Sequence, residues 1–369
     1  MSTSARPWRT ALLSAATAVA TAALAAPLLA VPAQAQARTQ STATLEVLAS
    51  GLNNVRDVTA LWDGRILVAE AGQGNPDCAT AETWCVGKTG SVYQVNGSRK
   101  GRVLTGLPSI GQGSAATGGA QHVNGPSSVA PDPWGGYLVL TGQGGDSNSR
   151  AALGPEASKI GTLFRTRDGK VLADLTDHET RLNPDGLEVH SNAWDFVRTE
   201  DGYLITDAGA NTLLRADCTK GTTTAFTFPK NDTATGAAEA VPTGIVRNNS
   251  TGTVYVADMS GTRPGAARIW KIEPGGKPEI LVTGLSNLVD IALDKNNNLY
   301  ALSFTDGFQA GPPLPGRLSK IDLATKAVTE IPTGGQLQGP TGLDIGPQGQ
   351  IYVSHKSAGA NGELVRVRP

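Results

Sequence analysis

Short apolar runs recur along this chain, and each follows a turn rich in Gly, Asp or Asn. In DGYLITDAGANTLLRAD, Asp201–Asp217, the turn Asp201-Gly202 precedes an apolar run, a small-residue loop and a second run. This pattern is typical of two antiparallel strands. It occurs six times, in segments that begin at Trp62, Trp134, Asp201, Thr251, Asn296 and Gln348.

Each copy is flanked by two further β-rich segments, so the repeating unit has four strands. VRDVTAL, WDFVRT and LVDIAL precede three of the copies, and GRVLTGL, GKVLADL and PEILVTGL follow three of them. A four-stranded unit cannot bury both of its faces alone, whereas radial packing of several units buries one continuous core. The repeat therefore predicts an all-β fold, a six-bladed β-propeller with four-stranded blades.

The two ends of the repeat complement each other. The last copy stops at GELVRVRP without a fourth strand, and ATLEVLASGL, residues 43–52, is an unassigned strand near the N-terminus. We expect this N-terminal strand to complete the C-terminal blade and to close the ring.

The first 35 residues have the pattern of a secretory signal peptide. Arg6 and Arg9 precede an apolar run, Ala11–Val31, and Ala33-Gln34-Ala35 follows it. We expect cleavage after Ala35 or Ala37, then a short linker (36–43) and a single propeller (44–369). The mature chain should be secreted or extracytoplasmic, without a membrane span.

The net charge bears on nucleic-acid binding, and the cysteine content bears on disulfide formation. Removing the leader takes two Arg and no acid, so the formal charge changes from −1 to −3. Nucleic-acid binding needs clustered basic residues, and the one basic cluster, Arg99–Arg102, lies in a predicted hairpin turn. We therefore expect no nucleic-acid partner. Cys78 and Cys85 share one loop, which favours a local disulfide in an oxidising compartment and leaves Cys218 as the odd thiol.

The long loops should all lie on one face of the propeller. Strands of a blade alternate in direction, so the second-to-third and fourth-to-first connections share a face, and these are the long ones. Loops held by a rigid scaffold commonly carry binding sites. We expect a small molecule or a protein to bind a monomer at this channel mouth, near Asp57, Glu70, His122, Asn124, His190, Asn192, Asp195, Asp207, Asp258, Asp290 and His355.

Two interpretations of these side chains are open. Oxygen ligands from several blades, Glu70, Asn192 and Asp258, would suit a divalent cation such as calcium or magnesium. Alternatively, an Asp that ends a second strand, as Asp207 and Asp258 do, caps the following turn through backbone N–H groups. The histidines at 122, 190 and 355 could bind zinc, although their spacing shows no convergence.

The repeat units resemble NHL-type and SMP-30/gluconolactonase-like propellers. The order of VAEAGQG with the cysteine loop and TGSVYQV, then NPDGLEVHSNAWDF, then ITDAGANTLLRAD more closely resembles the ScyD/ScyE family of secreted propellers. That family is named from genes for scytonemin, an extracellular pigment. The resemblance implies an extracytoplasmic role and no transferable catalytic residues; a redox role in pigment coupling rests on the family name alone.

Two functions follow from these observations. The first is a secreted binding scaffold that uses the long-loop face and performs no chemistry. The second is a metal-dependent hydrolase or lactonase similar to the SMP-30 group, in which a divalent ion in the central channel polarises a carbonyl. Whether the chain is an enzyme, and its catalytic residues, stay open.

Overall fold

A computed structural model describes residues 41–114, 119–217, 219–233, 236–307 and 314–369. The predicted leader, its cleavage sites and Cys218 lie outside these residues. None of the helices in the described ranges is long and apolar enough to cross a membrane.

The described chain forms six blades around an axis. It begins with β1 (Thr44–Leu52), which belongs to the last blade. Blade I contains β2 (Val55–Ala60), β3 (Ile66–Glu70), β4 (Trp84–Asn96), β5 (Arg99–Gln112) and β6 (Gln121–Asn124). Blade II contains β7 (Pro126–Pro131), β8 (Tyr137–Thr141), β9 (Thr162–Arg165) and β10 (Val171–Asp174). Blade III contains β11 (Ala193–Arg198), β12 (Gly202–Asp207), β13 (Thr212–Asp217) and β14 (Gly221–Thr227).

The second half follows the same order. A small hairpin, β15 (Asn231–Thr233) and β16 (Gly236–Ala238), precedes blade IV. Blade IV contains β17 (Pro242–Arg247), β18 (Val254–Asp258), β19 (Ala267–Ile272) and β20 (Glu279–Leu285). Blade V contains β21 (Leu288–Leu293), β22 (Leu299–Ser303), β23 (Arg317–Ile321) and β24 (Val328–Ile331). Blade VI contains β25 (Gly342–Ile345), β26 (Ile351–His355), β27 (Gly362–Arg368) and β1.

The predicted ring closure is confirmed. β1 pairs antiparallel with β27, from Thr44 opposite Arg368 to Leu52 opposite Gly362. Glu46 on β1 also accepts hydrogen bonds from Arg366 and Arg368. The N-terminal and C-terminal strands are therefore joined in one sheet, which closes the ring.

Apolar side chains pack between neighbouring blades at all six junctions. Leu343, Val353 and Leu302, for example, belong to the cluster between blades V and VI, and Ile205 and Leu140 to that between II and III. The remaining junctions have equivalent clusters. Full burial of such a side chain stabilises the fold by about 1.5–3 kcal/mol, so each blade depends on its neighbours, as the repeat predicts.

Some features depart from the regular repeat. Blade I has a fifth strand, β6, which pairs with β5. Two helices, α1 (Ser147–Ala152) and α2 (Leu175–Leu182), and a 3-10 helix, Pro155–Lys159, were not predicted, and α2 begins at the last residue of the predicted strand GKVLADL. Asp146 and Asp174 are the N-caps of α1 and α2. These short elements are too brief for a clear helical periodicity in the sequence.

Candidate functional site

The first strand of each blade lines the channel. These inner strands contact one another in the closed order β2, β7, β11, β17, β21, β25 and back to β2. They begin at the long-loop face, because the preceding connections lie there. Residues near the start of each inner strand therefore meet around the channel below its mouth.

The inner strands alternate between two short motifs. Blades I, III and V have Asn-x-x-Asp followed by an apolar residue, and their acids are Asp57, Asp195 and Asp290. Blades II, IV and VI have a Pro followed by Ser or Thr, then Ser128, Gly244 or Gly342. The alternation gives the channel an approximate threefold arrangement of carboxylates.

Small residues are required between the acids. A Cβ added at Gly244 would lie 2.3 Å from Oδ1 and 2.6 Å from Cα of Asp290. One added at Gly342 would lie 2.6 Å from the carbonyl oxygen of Arg56. The backbones of adjacent inner strands thus approach too closely for any larger residue at these two positions.

Each of the three acids also fastens its blade to the next. Asp195 accepts from the N–H of Phe196 and, in blade IV, from that of Ile245, at 2.7 and 3.0 Å. Asp290 accepts from the N–H of Ile291 and, in blade VI, from that of Leu343. Asp57 accepts from Val58 and from the Ser128 hydroxyl of blade II, at 2.6 and 2.7 Å.

A fourth acid extends this network. Asp344, in blade VI, accepts from its neighbour Ile345 and from the N–H of Ala60 in blade I, both at 2.7 Å. These side-chain bonds connect inner strands that belong to different sheets, so the acids have a structural role in joining blades.

Asp57, Asp195 and Asp290 surround a small cavity, here called the chamber. Its volume is about 20 Å³, which is sufficient for about one water molecule. Burial, followed by the charge of Asp195, raises the pKa of Asp57 well above its usual value. Burial and then the charges of Asp57 and Asp195 do the same to the pKa of Asp290. Burial raises the pKa of Asp195 to about 6 and that of Asp344 to about 7.

Arg56 separates the chamber from the channel mouth. Its Nη1 donates to the carbonyl oxygens of Val55, Asn54 and Ser357, and its Nη2 donates to that of Val123. Withdrawal from solvent lowers the pKa of Arg56 to about 10. The guanidinium is therefore held in place by backbone groups from three parts of the ring, blade VI included.

A larger cavity, here called the cleft, opens above Arg56 on the long-loop face. Its volume is about 740 Å³, within the range of small-molecule sites. Apolar and aromatic side chains contribute much of its wall, and amide side chains are the other main component. The apolar group comprises Trp84, Val123, Trp194, Met259, Val289, Phe304 and Ala358, and the amide group Asn54, Gln112, Asn124, Gln143 and Asn287.

Trp194 is the best-anchored aromatic residue of the cleft. It precedes Asp195 on β11, and its Nε1 donates to the carbonyl of Val289 across the channel at 3.0 Å. It also packs against the core cluster of blades V and VI. Its ring is therefore fixed by an inner strand and by a hydrogen bond, which presents a rigid apolar surface to the cleft.

The structure places the sequence-selected acids in two separate sets. Asp57, Asp195 and Asp290 line the chamber. Glu70, Asp207 and Asp258 are the last residues of second strands, and each accepts hydrogen bonds from its own blade or the adjoining loop.

Glu70 and Asp258 each bind an arginine. Both oxygens of Glu70 accept from Arg102, at 2.7 and 2.8 Å, and Oε2 also accepts from the Ser91 hydroxyl at 2.7 Å. Asp258 accepts from Nε of Arg268 at 2.7 Å and from the indole N–H of Trp270 at 3.2 Å.

Asp207 binds the following turn. It accepts from the Ser191 hydroxyl and from the backbone N–H groups of Asn192, Gly209 and Ala210. This geometry corresponds to the turn-capping interpretation rather than to a free metal ligand.

The remaining candidates are dispersed. His122 is exposed at the cleft, 6.3 Å from the ring of Trp84, and Asn124 and Asn192 line the chamber. His355 is buried against Glu363, 3.0 Å away, while His190 lies beside Gly209. The three histidines thus have different surroundings.

No group of three His, Cys, Asp or Glu side chains in the described ranges is arranged to hold a metal ion. The set Glu70, Asn192 and Asp258 is not brought together as free ligands, because both acids are engaged by arginines. The calcium or magnesium site therefore stays a prediction from sequence. The Cys78–Cys85 disulfide is formed, with its sulfurs 2.02 Å apart, and it closes the long β3–β4 loop.

Sequence reasoning missed the residues that form the cleft. Arg56, Trp194 and Val289 each precede the Asp of an Asn-x-x-Asp motif, so alignment of the inner strands could have identified them. Trp84 begins β4, and Met259 and Phe304 directly follow the second strands β18 and β22. The residue after the second strand differs in type between blades, so the repeat did not single these side chains out.

Comparison with solved structures supports the fold. A virginiamycin B lyase from Staphylococcus aureus is 12% identical, with 89% of this chain and 99% of that chain covered and a TM-score of 0.52. A streptogramin B lyase is 14% identical, covers 88% and 97%, and has a TM-score of 0.50. A luciferin-regenerating enzyme is 10% identical, covers 89% and 95%, and has a TM-score of 0.51.

No protein-family model matches the chain, and no curated protein matches it by sequence. The narrower resemblance to ScyD/ScyE proteins receives no support from these comparisons and stays a prediction. At identities of 10–14%, the structural likeness establishes a shared architecture and not a shared activity. The chain is a six-bladed β-propeller of the architecture found in these lyases and in the luciferin-regenerating enzyme.

Proposed function

We propose that this propeller is an extracytoplasmic binding protein that takes a small organic molecule in the cleft. The observation that carries the proposal is the cleft itself, a cavity of about 740 Å³ with Trp84, Trp194, Met259 and Phe304 in its wall. Sites for small organic ligands combine apolar walls with a few fixed polar groups, and the amide side chains supply the latter here.

The rigid framework around the cleft supports this proposal. Trp194 is held by its hydrogen bond to Val289, and Arg56 by carbonyls from three segments. A preorganised site loses less conformational entropy on binding than a mobile one. Extracytoplasmic location rests on the leader pattern and the disulfide, and it is part of the proposal.

Binding can be tested with N-phenyl-1-naphthylamine, a neutral aromatic probe whose fluorescence rises in apolar surroundings. Residues 36–369 should bind it saturably. Met259→Trp, which adds bulk inside the cleft, should weaken binding at least about tenfold, equivalent to about 1.4 kcal/mol. Val328→Trp adds the same indole on an exposed position of β24 and should leave the affinity unchanged.

Two results would contradict the proposal. One is the absence of saturable binding by the folded protein, and the other is equal affinity in wild type and Met259→Trp. A panel of lactones and esters, assayed with and without calcium, should show no turnover. Calcium-dependent turnover would instead favour a hydrolase.

A further inference from the structure

The charges around the cleft are strongly one-sided. The whole chain has 32 Asp and Glu residues, yet none of those in the described part of the chain lines the cleft. Its ionisable lining residues are Arg56 and His122. A site with one fixed cation and no carboxylate is electrostatically complementary to an anion.

Arg56 has no carboxylate partner among the described residues. Its four hydrogen bonds all go to backbone carbonyl oxygens, which carry partial charges, and no acceptor in the described ranges contacts its Nε. Arg56 is partly buried, and a guanidinium partly withdrawn from water without a counter-ion is unfavourable, a cost that an anionic ligand would offset. The unused donors, Nε and one Nη2 hydrogen, can bind an oxyanion.

The chamber acids compensate this charge only in part. Asp57, Asp195 and Asp290 direct their oxygens sideways to groups of adjacent inner strands, and none forms an ion pair with Arg56. Their raised pKa values mean that they carry less negative charge near neutral pH than three ordinary aspartates. Arg56 therefore remains the dominant charge at the floor of the cleft.

We propose that the ligand is an aromatic organic anion, with its acidic group on Arg56 and its rings against Trp194, Met259 and Phe304. This inference rests on the proposed binding role and specifies the chemical class of the ligand. Arg56 provides the charge and direction, and the apolar wall provides most of the contact area.

A matched pair of probes tests the charge separately from the apolar contact. 8-Anilinonaphthalene-1-sulfonate carries a sulfonate on the same ring system as neutral N-phenyl-1-naphthylamine. Wild type should bind the sulfonate at least about tenfold more tightly, because a charge-assisted bond to Arg56 adds to the shared apolar contact. Arg56→Gln should lower the affinity for the sulfonate more than that for the neutral probe, so that the ratio of the two affinities falls from at least about ten to near one.

A control and a second variant separate local from general effects. Arg99→Gln removes an equal charge from the exposed β4–β5 hairpin and should leave the preference intact. Arg56→Lys keeps the charge but loses the planar fork, so an intermediate preference is expected. If Arg56→Gln does not fold, Met259→Trp replaces it, and the affinity for the sulfonate must fall at least about tenfold when the cleft is filled.

The possible outcomes distinguish the two proposals. Equal affinity of wild type for both probes, or an undiminished preference in folded Arg56→Gln, would overturn the anion inference while the binding role stands. If wild type binds neither probe, the binding role fails as well. An undiminished affinity of Met259→Trp for the sulfonate would place the anion elsewhere and also overturn the inference.

Discussion

The chamber and the cleft adjoin along one channel, yet they have opposite composition. The chamber is narrow, about 20 Å³, and is surrounded by three aspartates. The cleft is about 740 Å³, and none of the described residues that line it is an acid. Arg56 contacts both cavities and marks the boundary between them.

The comparison distinguishes polar side chains that stabilise the fold from polar side chains that are available to a ligand. Asp195 and Asp290 in the chamber accept hydrogen bonds from backbone N–H groups of adjacent blades, so they help to hold the ring together. Among the cleft's polar residues, Asn54 and Asn287 are buried, whereas Arg56, Gln112, Asn124 and Gln143 retain some solvent access and His122 is exposed. Buried charge alone therefore does not identify a functional site in this propeller; an available donor beside open volume is the stronger indication.

Among substitutions at the chamber, Gly244→Ala should produce the largest loss of stability. Its Cβ would meet both the backbone and carboxylate of Asp290, so the two inner strands must move apart. We expect a loss of about 3 kcal/mol in the free energy of unfolding, at the upper end for overpacking. Urea denaturation would measure it.

Gly101→Ala is the matched control, because a Cβ there meets nothing within 4 Å. Its unfolding free energy should change by less than about 0.5 kcal/mol. If both variants are equally stable, the close approach of the inner strands is wrong, and so is the size of the chamber.

The sequence predicts the framework well because the framework repeats. Six copies of one pattern predict six blades, and the unpaired segments at the two ends predict the β1–β27 closure, which the pairing of Thr44 with Arg368 confirms. The extra strand β6 and the hairpin β15–β16 were not predicted, since each occurs once and packs against local neighbours.

The candidate site was predicted less well because its residues do not share one repeat position. Asp57 and Asp290 could be located from the starts of inner strands, but sequence could not show that Glu70 and Asp258 are bound to Arg102 and Arg268. Those arginines lie 32 and 10 residues away in sequence, and strand register alone brings them into contact. Register depends on packing over the whole sheet.

The pH dependence of stability in Asp195→Asn tests whether the chamber acids are crowded and buried. Burial raises the pKa of Asp195 in the folded state to about 6, from the usual 3.8. The folded protein then binds more protons than the unfolded chain between about pH 4 and 6, so this group's contribution to stability falls as pH rises through that range. The charge of Asp195 also raises the pKa values of Asp57 and Asp290.

The Asn variant should therefore become more stable relative to wild type as pH rises from 4 to 7. Urea midpoints across this range would show the trend, which is smaller than the Gly244→Ala effect because it is confined to the titration window. Asp217→Asn is a control outside this window, since bonds from Thr219 and Lys220 lower the pKa of Asp217 to about 2, and its difference from wild type should be nearly flat from pH 4 to 7. A flat difference for Asp195→Asn would contradict the crowded-carboxylate account of the chamber.

Ser128→Ala should give the smallest effect, and it examines one contact between two blades. The Ser128 hydroxyl donates to Oδ2 of Asp57 at 2.7 Å, and this bond lowers the pKa of Asp57 against the opposing effect of burial. Removing the donor should cost about 1 kcal/mol of unfolding free energy. The loss should grow as pH rises, because the bond stabilises the ionised carboxylate.

Ser127→Ala provides the comparison within the same strand. The Ser127 hydroxyl donates to the carbonyl of Leu140 at 3.3 Å, a longer bond to a neutral acceptor. Its loss should be smaller and independent of pH. If the two variants behave alike from pH 5 to 9, Asp57 does not depend on Ser128, and the inter-blade hydrogen bonds of the chamber contribute less to ring stability than the apolar clusters between blades.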